Sequence, residues 1–156
     1  MYESTVSLSQ SNVSKMQPKK FFSKYKSPIN SLQFNADGKK IVTTAENNFI
    51  SVYDVEKGSV EKIINSSIYG AGHVLWGAHP ETVVISSTLK DTHVRCLSLY
   101  DNKYTRVFTG HDEKVIDMAL SPGRELLLTC SHDKSFRVFD IRVNDCTKIK
   151  SYPTLN

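Results

Sequence analysis

Short apolar segments separated by polar turns recur along this chain, and the pattern is clearest in residues 110–140. Three apolar runs occur there, and the links between them contain Pro122-Gly123 and His132-Asp133-Lys134. These residue types favour tight reversals of the backbone, so the stretch predicts three short antiparallel strands. Residues 126–130 are apolar at almost every position, which predicts a strand buried on both faces.

The same unit occurs more than once. When the chain is displaced by 86 positions, residues 29–54 align with residues 115–140 without a gap. A third copy lies between them, and Phe34, Ala78 and Leu120 are predicted to be equivalent positions, 44 and 42 residues apart. The middle copy is predicted to be three residues longer between its second and third strands. A period of roughly 40–45 residues is that of one four-stranded blade of a β-propeller.

The repeats divide the chain into an arm and a repeat region. Residues 1–20 are predicted to form a basic, Ser-rich, disordered arm, and residues 21–156 an incomplete propeller. Phe21-Phe22 lies where an N-terminal strand would complete the last blade of a closed ring. The predicted blades are 21–64, 73–109 and 115–152, with strands at 29–34, 40–45, 49–54, 59–64, 73–78, 82–88, 93–100, 104–109, 115–120, 125–131, 135–141 and 147–152.

The third repeat resembles a WD40 repeat, in which a Gly-His opens the unit and a Trp-Asp closes it. Gly110-His111 stands at the first place and Phe139-Asp140 at the second. The resemblance implies an all-β fold, a partial WD40 β-propeller of about three four-stranded antiparallel blades.

Three residues of this repeat match the polar network that WD40 blades use to fix a turn. The resemblance implies that His111, Thr129 and Asp133 hydrogen-bond to one another and hold buried polar groups. The Trp position of that network is Phe139, which has no N–H to donate. The same residues, with Ser131, also contain the parts of a Ser-His-Asp hydrolase triad, which is the remote alternative.

The rest of the chain offers little chemistry. The first repeat lacks the network, because Tyr25 stands at the His position and Asn47 at the Asp position. No Cys-x-x-Cys or His-x-x-x-His spacing and no Gly-rich phosphate loop occurs. We therefore expect no metal, no cofactor and no enzymatic activity. The three cysteines are expected to be reduced thiols of a cytosolic or nuclear protein.

The net charge of +4 lies in residues 1–28, which are the N-terminal arm and the segment that leads into the first predicted strand. Residues 1–28 contain five lysines and one glutamate, and the remainder is neutral. A neutral repeat body argues against direct, sequence-specific binding of nucleic acid, which depends on clustered Lys and Arg. The basic arm is suited to contact an acidic partner or to assist nuclear import. No apolar run of membrane-spanning length is present, and no membrane association is expected.

A closer resemblance rests on the run from Leu97 to His111, together with Ser27–Asn30, Ile68–Gly70 and Thr88–Asp91. These stretches are similar to the small WD40 subunit of the COMPASS histone lysine methyltransferase, over about residues 20–145. The resemblance implies a nuclear, non-catalytic scaffold linking that enzyme to chromatin and transcribing RNA polymerase II, through the phosphorylated polymerase tail. It also implies partners in complexes for transcription termination and RNA 3′-end processing, one of them built on a phosphatase.

The chain departs from that family in its number of blades. Family members carry about seven, and three are predicted here. An open stack leaves two apolar faces uncovered, because each blade buries its faces against its neighbours. Three explanations stay open: a fragment, a truncated paralogue, or a chain that associates with other copies to close a ring. The alternative to an adaptor is a WD40 relic without specific binding activity.

Overall fold

Twelve strands and one short helix make up the computed structural model, which describes residues 7–18, 20–22, 27–143 and the backbone of 148–153. The helix is α1 (Gln10–Val13). The strands are β1 (Ile29–Phe34), β2 (Lys40–Ala45), β3 (Phe49–Asp54), β4 (Ser59–Asn65), β5 (Val74–Trp76), β6 (Thr82–Ser86), β7 (Val94–Ser98), β8 (Tyr104–Phe108), β9 (Val115–Leu120), β10 (Leu126–Ser131), β11 (Ser135–Asp140) and β12 (Lys148–Pro153).

The strands form three four-stranded antiparallel sheets, which are the three blades. Blade one has the order β1-β2-β3-β4, blade two β5-β6-β7-β8 and blade three β9-β10-β11-β12. Consecutive strands pair in every sheet, so each blade is a simple meander joined by short turns. The predicted fold class, an all-β partial propeller, is confirmed. Each predicted strand exists, although those of blade two are shorter than expected.

The arm contains one element that the sequence pattern did not predict. Helix α1 is a single turn, capped by the Ser9 hydroxyl, which accepts a hydrogen bond from the Asn12 amide at 3.3 Å. It buries no residue. Residues 1–6 and Lys19 lie outside the described residues, and disorder of the arm stays a prediction.

Left-handed residues close the turns between strands. Asn48 and Lys134 have φ values of 65° and 63°, and they occupy equivalent turns in blades one and three. The predicted hairpin after β7 contains Asn102 at φ 58°. In the turn between β9 and β10 it is Arg124 (φ 55°), and not Gly123, that takes the left-handed conformation.

The cross-strand register corrects the predicted alignment of the middle repeat. Phe34, Trp76 and Leu120 each pair with the equivalent apolar residue of the second strand in their own blade. Ala78, the predicted equivalent, lies two residues beyond the end of β5. The hairpin between β6 and β7 closes at Ser86–Val94, against Cys130–Phe136 in blade three. The insertion is therefore two residues long, and the predicted three was wrong because the first strand was aligned two residues too far along the chain and the third strand three residues too far.

Two apolar clusters hold the blades together. The first lies between blades one and two and is centred on Val42, Ile50, Trp76 and Leu97. The second lies between blades two and three and includes Val84, Phe108, Met118, Leu127 and Phe139. Phe108 and Phe139 are in direct contact, with ring centroids 5.4 Å apart. Every blade interface is thus a strip of core contributed by two sheets.

Strand β10 is buried on one face only. Leu127 and Thr129 are fully buried, whereas Leu126 and Leu128 are 39% and 37% exposed. The predicted burial on both faces is wrong, because blade three is the last of the three sheets and its far face has no sheet against it in the described chain. The continuous apolar sequence fits a strand between two blades, but among the described residues only one neighbouring blade packs against it.

Candidate functional site

The three residues of the predicted network meet in blade three. His111 Nδ1 lies 2.7 Å from Asp133 Oδ2, and His111 Nε2 lies 2.8 Å from Thr129 Oγ1. The imidazole is therefore held at both nitrogens. The side chains of His111 and Asp133 are only 2% and 9% exposed.

Three separate elements bring these side chains together. His111 follows β8, Thr129 lies in β10, and Asp133 lies in the turn before β11. Gly110 precedes His111 with φ 130°, and a Cβ there would overlap the Arg137 guanidinium. Glycine is required at this point because the backbone is left-handed and the arginine lies directly against it.

Asp133 is the centre of the cluster. Burial alone would raise the pKa of its carboxyl, but hydrogen bonds from Ser135, His111 and two backbone amides outweigh burial and lower the pKa from 3.8 to about 2. The amide donors belong to Asp112 and Ser135, at 3.2 and 2.9 Å. Asp133 is thus a buried carboxylate that four hydrogen bonds satisfy.

The geometry does not favour a nucleophile. Thr129 Oγ1, the hydroxyl nearest His111 Nε2, belongs to a residue with no exposed surface. Ser131 Oγ donates to the Glu113 carbonyl at 2.9 Å and accepts from the Asp133 amide at 3.1 Å, so it closes the turn. A hydrolytic serine must reach a substrate carbonyl, and neither hydroxyl is presented to one.

Phe139, at the Trp position of the network, belongs to the apolar core. Its side chain is 1% exposed and packs with Phe108 and Leu127. Thr129 Oγ1 instead lies 3.4 Å from the Arg137 carbonyl, its other polar neighbour. The structural role of the network remains a prediction, which a stability measurement can test.

A second polar cluster, in blade two, was missed by sequence reasoning. Arg95 is 6% exposed and pairs with Asp91 through two hydrogen bonds of 2.8 and 2.5 Å. The guanidinium carbon stacks 3.8 Å above the Tyr69 ring, and Ser87 accepts a further hydrogen bond from Arg95. The hydrogen bonds from Arg95 hold the pKa of Asp91 well below its usual range. The sequence signal that could have indicated this cluster is the recurrence of an arginine at the equivalent strand position of blade three, Arg137.

In blade one the equivalent turn contains Asn47. Its side-chain oxygen accepts a hydrogen bond from the Phe49 backbone amide at 3.4 Å. The backbone amide of Asn47 donates to Ser27 Oγ at 3.1 Å. Tyr25, the predicted counterpart of His111, lies outside the described residues. Blade one thus keeps the turn but not the buried carboxylate.

Several apolar side chains remain at the surface. Ile68, Leu89 and Tyr100 are 64%, 58% and 87% exposed. The backbone that carries Leu89 is fixed, because the Tyr69 carbonyl accepts the amides of Thr88 and Leu89 at 2.9 and 3.0 Å. In the described residues no group of three or more His, Cys, Asp or Glu is arranged to hold a metal, and no helix is long and apolar enough to cross a bilayer.

The repeats match a known family. The model for the WD domain, G-beta repeat, matches residues 16–54 and 102–140, which together make up half of the chain. This chain belongs to the WD40 repeat family. The segment between the two matches, residues 55–101, contains the last strand of blade one and three strands of blade two, whose longer turn and Arg95–Asp91 pair depart from the pattern seen in blade three.

Among WD40 proteins, the relatives of this chain include named components of the Set1 complex and of COMPASS. It is 36% identical over 141 residues to WD repeat-containing protein 82 of Drosophila melanogaster, which covers 90% of this chain and 44% of that protein. It is 31% identical over 144 residues to the Set1 complex component swd2 of Schizosaccharomyces pombe, covering 91% and 40%. It is 28% identical over 143 residues to the COMPASS component SWD2 of Saccharomyces cerevisiae, covering 90% and 44%. The chain spans less than half the length of these relatives.

Proposed function

We propose that this chain is a non-catalytic WD40 adaptor of a Set1/COMPASS-type histone lysine methyltransferase complex. The observation that carries the proposal is its similarity, over about nine-tenths of its length, to relatives named as components of such complexes. The buried network supports the absence of catalysis, because the hydroxyl beside His111 Nε2 belongs to Thr129, which has no exposed surface. Nuclear localisation follows from this assignment.

The exposed apolar loops of blade two are the partner surface that we favour. Ile68 and Leu89 project from two loops that are hydrogen-bonded to each other through Tyr69 and Thr88. Apolar side chains that are already held on a rigid backbone suit an interface, because little entropy is lost when a partner covers them. These loops also lie within the stretches that resemble the COMPASS subunit.

The basic N-terminal arm is suited to contact an acidic partner of such a complex. We infer that it assists contact with an acidic partner, for which the phosphorylated tail of RNA polymerase II is the candidate. Lys15 and Lys20 are two of its lysines. Links to chromatin, and to termination and phosphatase complexes, belong to the same proposal and rest on the family resemblance.

Affinity purification from nuclear extract tests the adaptor function. The tagged chain is expected to recover the methyltransferase subunit, identified by mass spectrometry. Leu89→Glu is expected to reduce recovery at least fivefold. Tyr100→Glu, at a more exposed position outside these loops, is the matched control and is expected to retain it. Recovery of no methyltransferase or termination subunit by the well-folded chain would contradict the proposal.

The two open sheet faces favour a second candidate, a relic without specific partners. Exposed apolar strand surface promotes aggregation. Under this alternative the purified chain would aggregate or lack a cooperative thermal transition. A sharp transition with a single defined mass would exclude it.

A further inference from the structure

The cleft between blades two and three opens into a cavity at the end of the blades that carries the β5–β6 turn. Its volume is about 320 Å³, at the lower end of the roughly 300–1,000 Å³ typical of ligand pockets. The floor is apolar, since Val84, Cys96 and Ile141 line the cavity and are buried. Arg106 and His79, which are more exposed, also line it. The cavity thus combines an apolar floor with polar nitrogen groups.

The strand register places Arg106 at the end of a row of side chains on one face of blade two. Val84 pairs with Cys96, and Cys96 pairs with Arg106. This face packs against blade three, because Val84 and Cys96 belong to the apolar cluster that also contains Phe139. Blade one has the same row, and it ends at Lys62. A cation therefore stands at the same strand position in both blades.

The two cations differ in what they contact. Lys62 Nζ donates a hydrogen bond to the Leu99 carbonyl, and so spans the cleft between blades one and two. Ile141 is the counterpart of Leu99 in blade three, because each donates its backbone amide to the residue just before the second strand of its blade. The Arg106 side chain, in contrast, forms no hydrogen bond or salt bridge with any residue that the structure describes. The cavity lies between Arg106 and Ile141, where the other cleft has this contact.

The nitrogen atoms of the cavity are hydrogen-bond donors. The Arg106 guanidinium has five N–H groups and no acceptor. His79 Nδ1 accepts a hydrogen bond from the Glu81 backbone amide at 3.2 Å, so the proton of the neutral ring is on Nε2. None of the described lining residues is acidic. Asp140, an acid on which the charge of Arg106 acts, is paired with Arg142 through hydrogen bonds of 2.9 and 2.6 Å. The cavity therefore suits an anionic acceptor.

A carboxylate fits this donor set better than a phosphate. A guanidinium binds a carboxylate through two parallel hydrogen bonds. A phosphate monoester carries a charge of roughly −1.5 to −2 at pH 7, and proteins usually recognise it with a cluster of arginines. Among the described residues, one arginine and no lysine line this cavity. Its charge is thus matched by a single carboxylate.

The neighbouring edge strand indicates what carries the carboxylate. Strand β8 is the last strand of its sheet, and no described strand pairs with its other edge. The backbone N–H and C=O groups directed away from β7 are therefore available to an extended segment. Arg106 lies in β8 itself, so a segment along this edge would bring its own side chains to the cavity. A free small carboxylate would use neither the edge nor the apolar floor.

We propose that this cavity binds an Asp or Glu side chain of a partner protein, carried on an extended segment that lies along the free edge of β8. The carboxylate pairs with Arg106 and with His79 Nε2. An apolar side chain two positions away covers the floor, because alternate residues of a strand share a face. The site is at the opposite end of β6 from the loop that carries Leu89. It is thus separate from the partner surface proposed above, and either assignment can fail alone.

NMR titration of the full chain tests the site with defined peptides. The probe is acetyl-Thr-Val-Thr-Glu-Thr-amide, in which Val and Glu are two positions apart. It is expected to shift the methyl signals of Val84 and Ile141 and the Nε–H signal of Arg106. The same peptide with Gln in place of Glu should bind about tenfold more weakly, the effect of one charge-assisted hydrogen bond. Equal binding of the two peptides, or shifts that leave Val84 and Ile141 unmoved, would overturn the proposal.

Two further probes test the chemistry of the ligand. Acetate, a free carboxylate, is expected to bind at least tenfold more weakly than the Glu peptide. The peptide with phosphoserine in place of Glu is expected to bind no more tightly than the Glu peptide. If acetate bound as tightly as the Glu peptide, the site would take a small carboxylate and not a protein segment. Tighter binding of the phosphoserine peptide would make it a phosphate site instead.

Charge variants separate Arg106 from general electrostatic attraction. Arg106→Gln is expected to weaken binding of the Glu peptide about tenfold and to leave binding of the Gln peptide unchanged. Lys103→Gln removes an exposed cation from the neighbouring turn and is the matched control, which should bind the Glu peptide as the unaltered chain does. Leu89→Glu, which tests the proposed function, should also leave this binding unchanged. Circular dichroism and fluorescence of the single tryptophan, Trp76, check that each variant is folded. Equal losses with Arg106→Gln and Lys103→Gln would refute the assignment to Arg106.

Discussion

Removal of the Asp133 carboxylate is the sharpest test of the network in blade three. Asp133→Ala deletes the acceptor for the His111 ring, for the Asp112 amide and for both the amide and the hydroxyl of Ser135. Among these donors the His111 ring is almost fully buried, with 2% of its side chain exposed, so bulk water does not replace the lost partner of its Nδ1. The substitution should therefore leave buried donors unsatisfied.

The structure gives a magnitude for this loss. The pKa of Asp133 is lowered from 3.8 to about 2, and each unit corresponds to about 1.4 kcal/mol of preference for the charged form. The folded state thus gains about 2 kcal/mol from the ionised carboxylate. Loss of hydrogen bonds to buried donors gives a similar figure, about 1–3 kcal/mol. Because the folded-state pKa is depressed, this stabilisation is present above about pH 4 and is lost as the pH falls through 2.

Urea denaturation at fixed protein concentration measures the effect. Asp133→Ala is expected to lower the free energy of unfolding by about 2 kcal/mol at pH 7, and Asp133→Asn to remove the matching decline between pH 4 and pH 2. Asp112→Ala is the control, because that side chain is exposed and its backbone amide is kept. A change below about 0.5 kcal/mol for Asp133→Ala would refute the structural role assigned to the network.

Two matched pairs test other parts of the fold. Gly72→Ala would place a Cβ 2.6 Å from Ser86 Oγ and 3.3 Å from the Ser86 carbonyl oxygen. We expect urea denaturation to show that it lowers the free energy of unfolding by about 1–3 kcal/mol. Gly123→Ala should leave the free energy of unfolding unchanged, because the nearest atom to its Cβ would be 3.9 Å away. Arg95→Met should lower the free energy of unfolding by about 3 kcal/mol, because it breaks a buried ion pair. Arg137→Met should lower it by less than about 1 kcal/mol, because Arg137 Nε is buried without a hydrogen-bond partner in the described structure. If the two substitutions of a pair lowered the free energy of unfolding equally, the structural explanation given for that pair would be wrong.

The blades were predictable because their signal is local and repeated. Apolar runs and turn residues recur with one period, so all twelve strands were predicted, and the closest matches were in blades one and three. The alignment of blade two failed because its β6–β7 hairpin carries an insertion and no Trp-Asp marks its end. Trp76 and Ala78 are both apolar, and the sequence pattern alone does not distinguish them.

The polar clusters were predictable only where the resemblance supplied them. Thr129 and Asp133 lie 18 and 22 residues after His111, and no local sequence pattern indicates that the three side chains meet. The Arg95–Asp91 pair was missed because a cation in a strand ordinarily points to solvent. Burial of Arg95 depends on the stacked ring of Tyr69, which comes from the preceding loop. The open faces, by contrast, follow from counting the blades.

One position explains the polar chemistry of all three blades. Asn47, Asp91 and Asp133 each accept the amide two residues further on, at 3.4, 3.0 and 2.9 Å, and so close the turn between the second and third strands. What differs is the cationic or polar partner: Asp91 takes Arg95 from its own sheet, whereas Asp133 takes His111 from the preceding loop. In blade three His111 occupies that carboxylate, and Nε of Arg137, at the position equivalent to Arg95, is buried without a hydrogen-bond partner in the described structure. Asp133 thus makes the same turn-closing contact as its counterparts in the other two blades, and blade two makes it without a histidine. We therefore predict that the His–Asp contact at this position serves stability, and the comparison between blades gives no separate reason to infer hydrolysis.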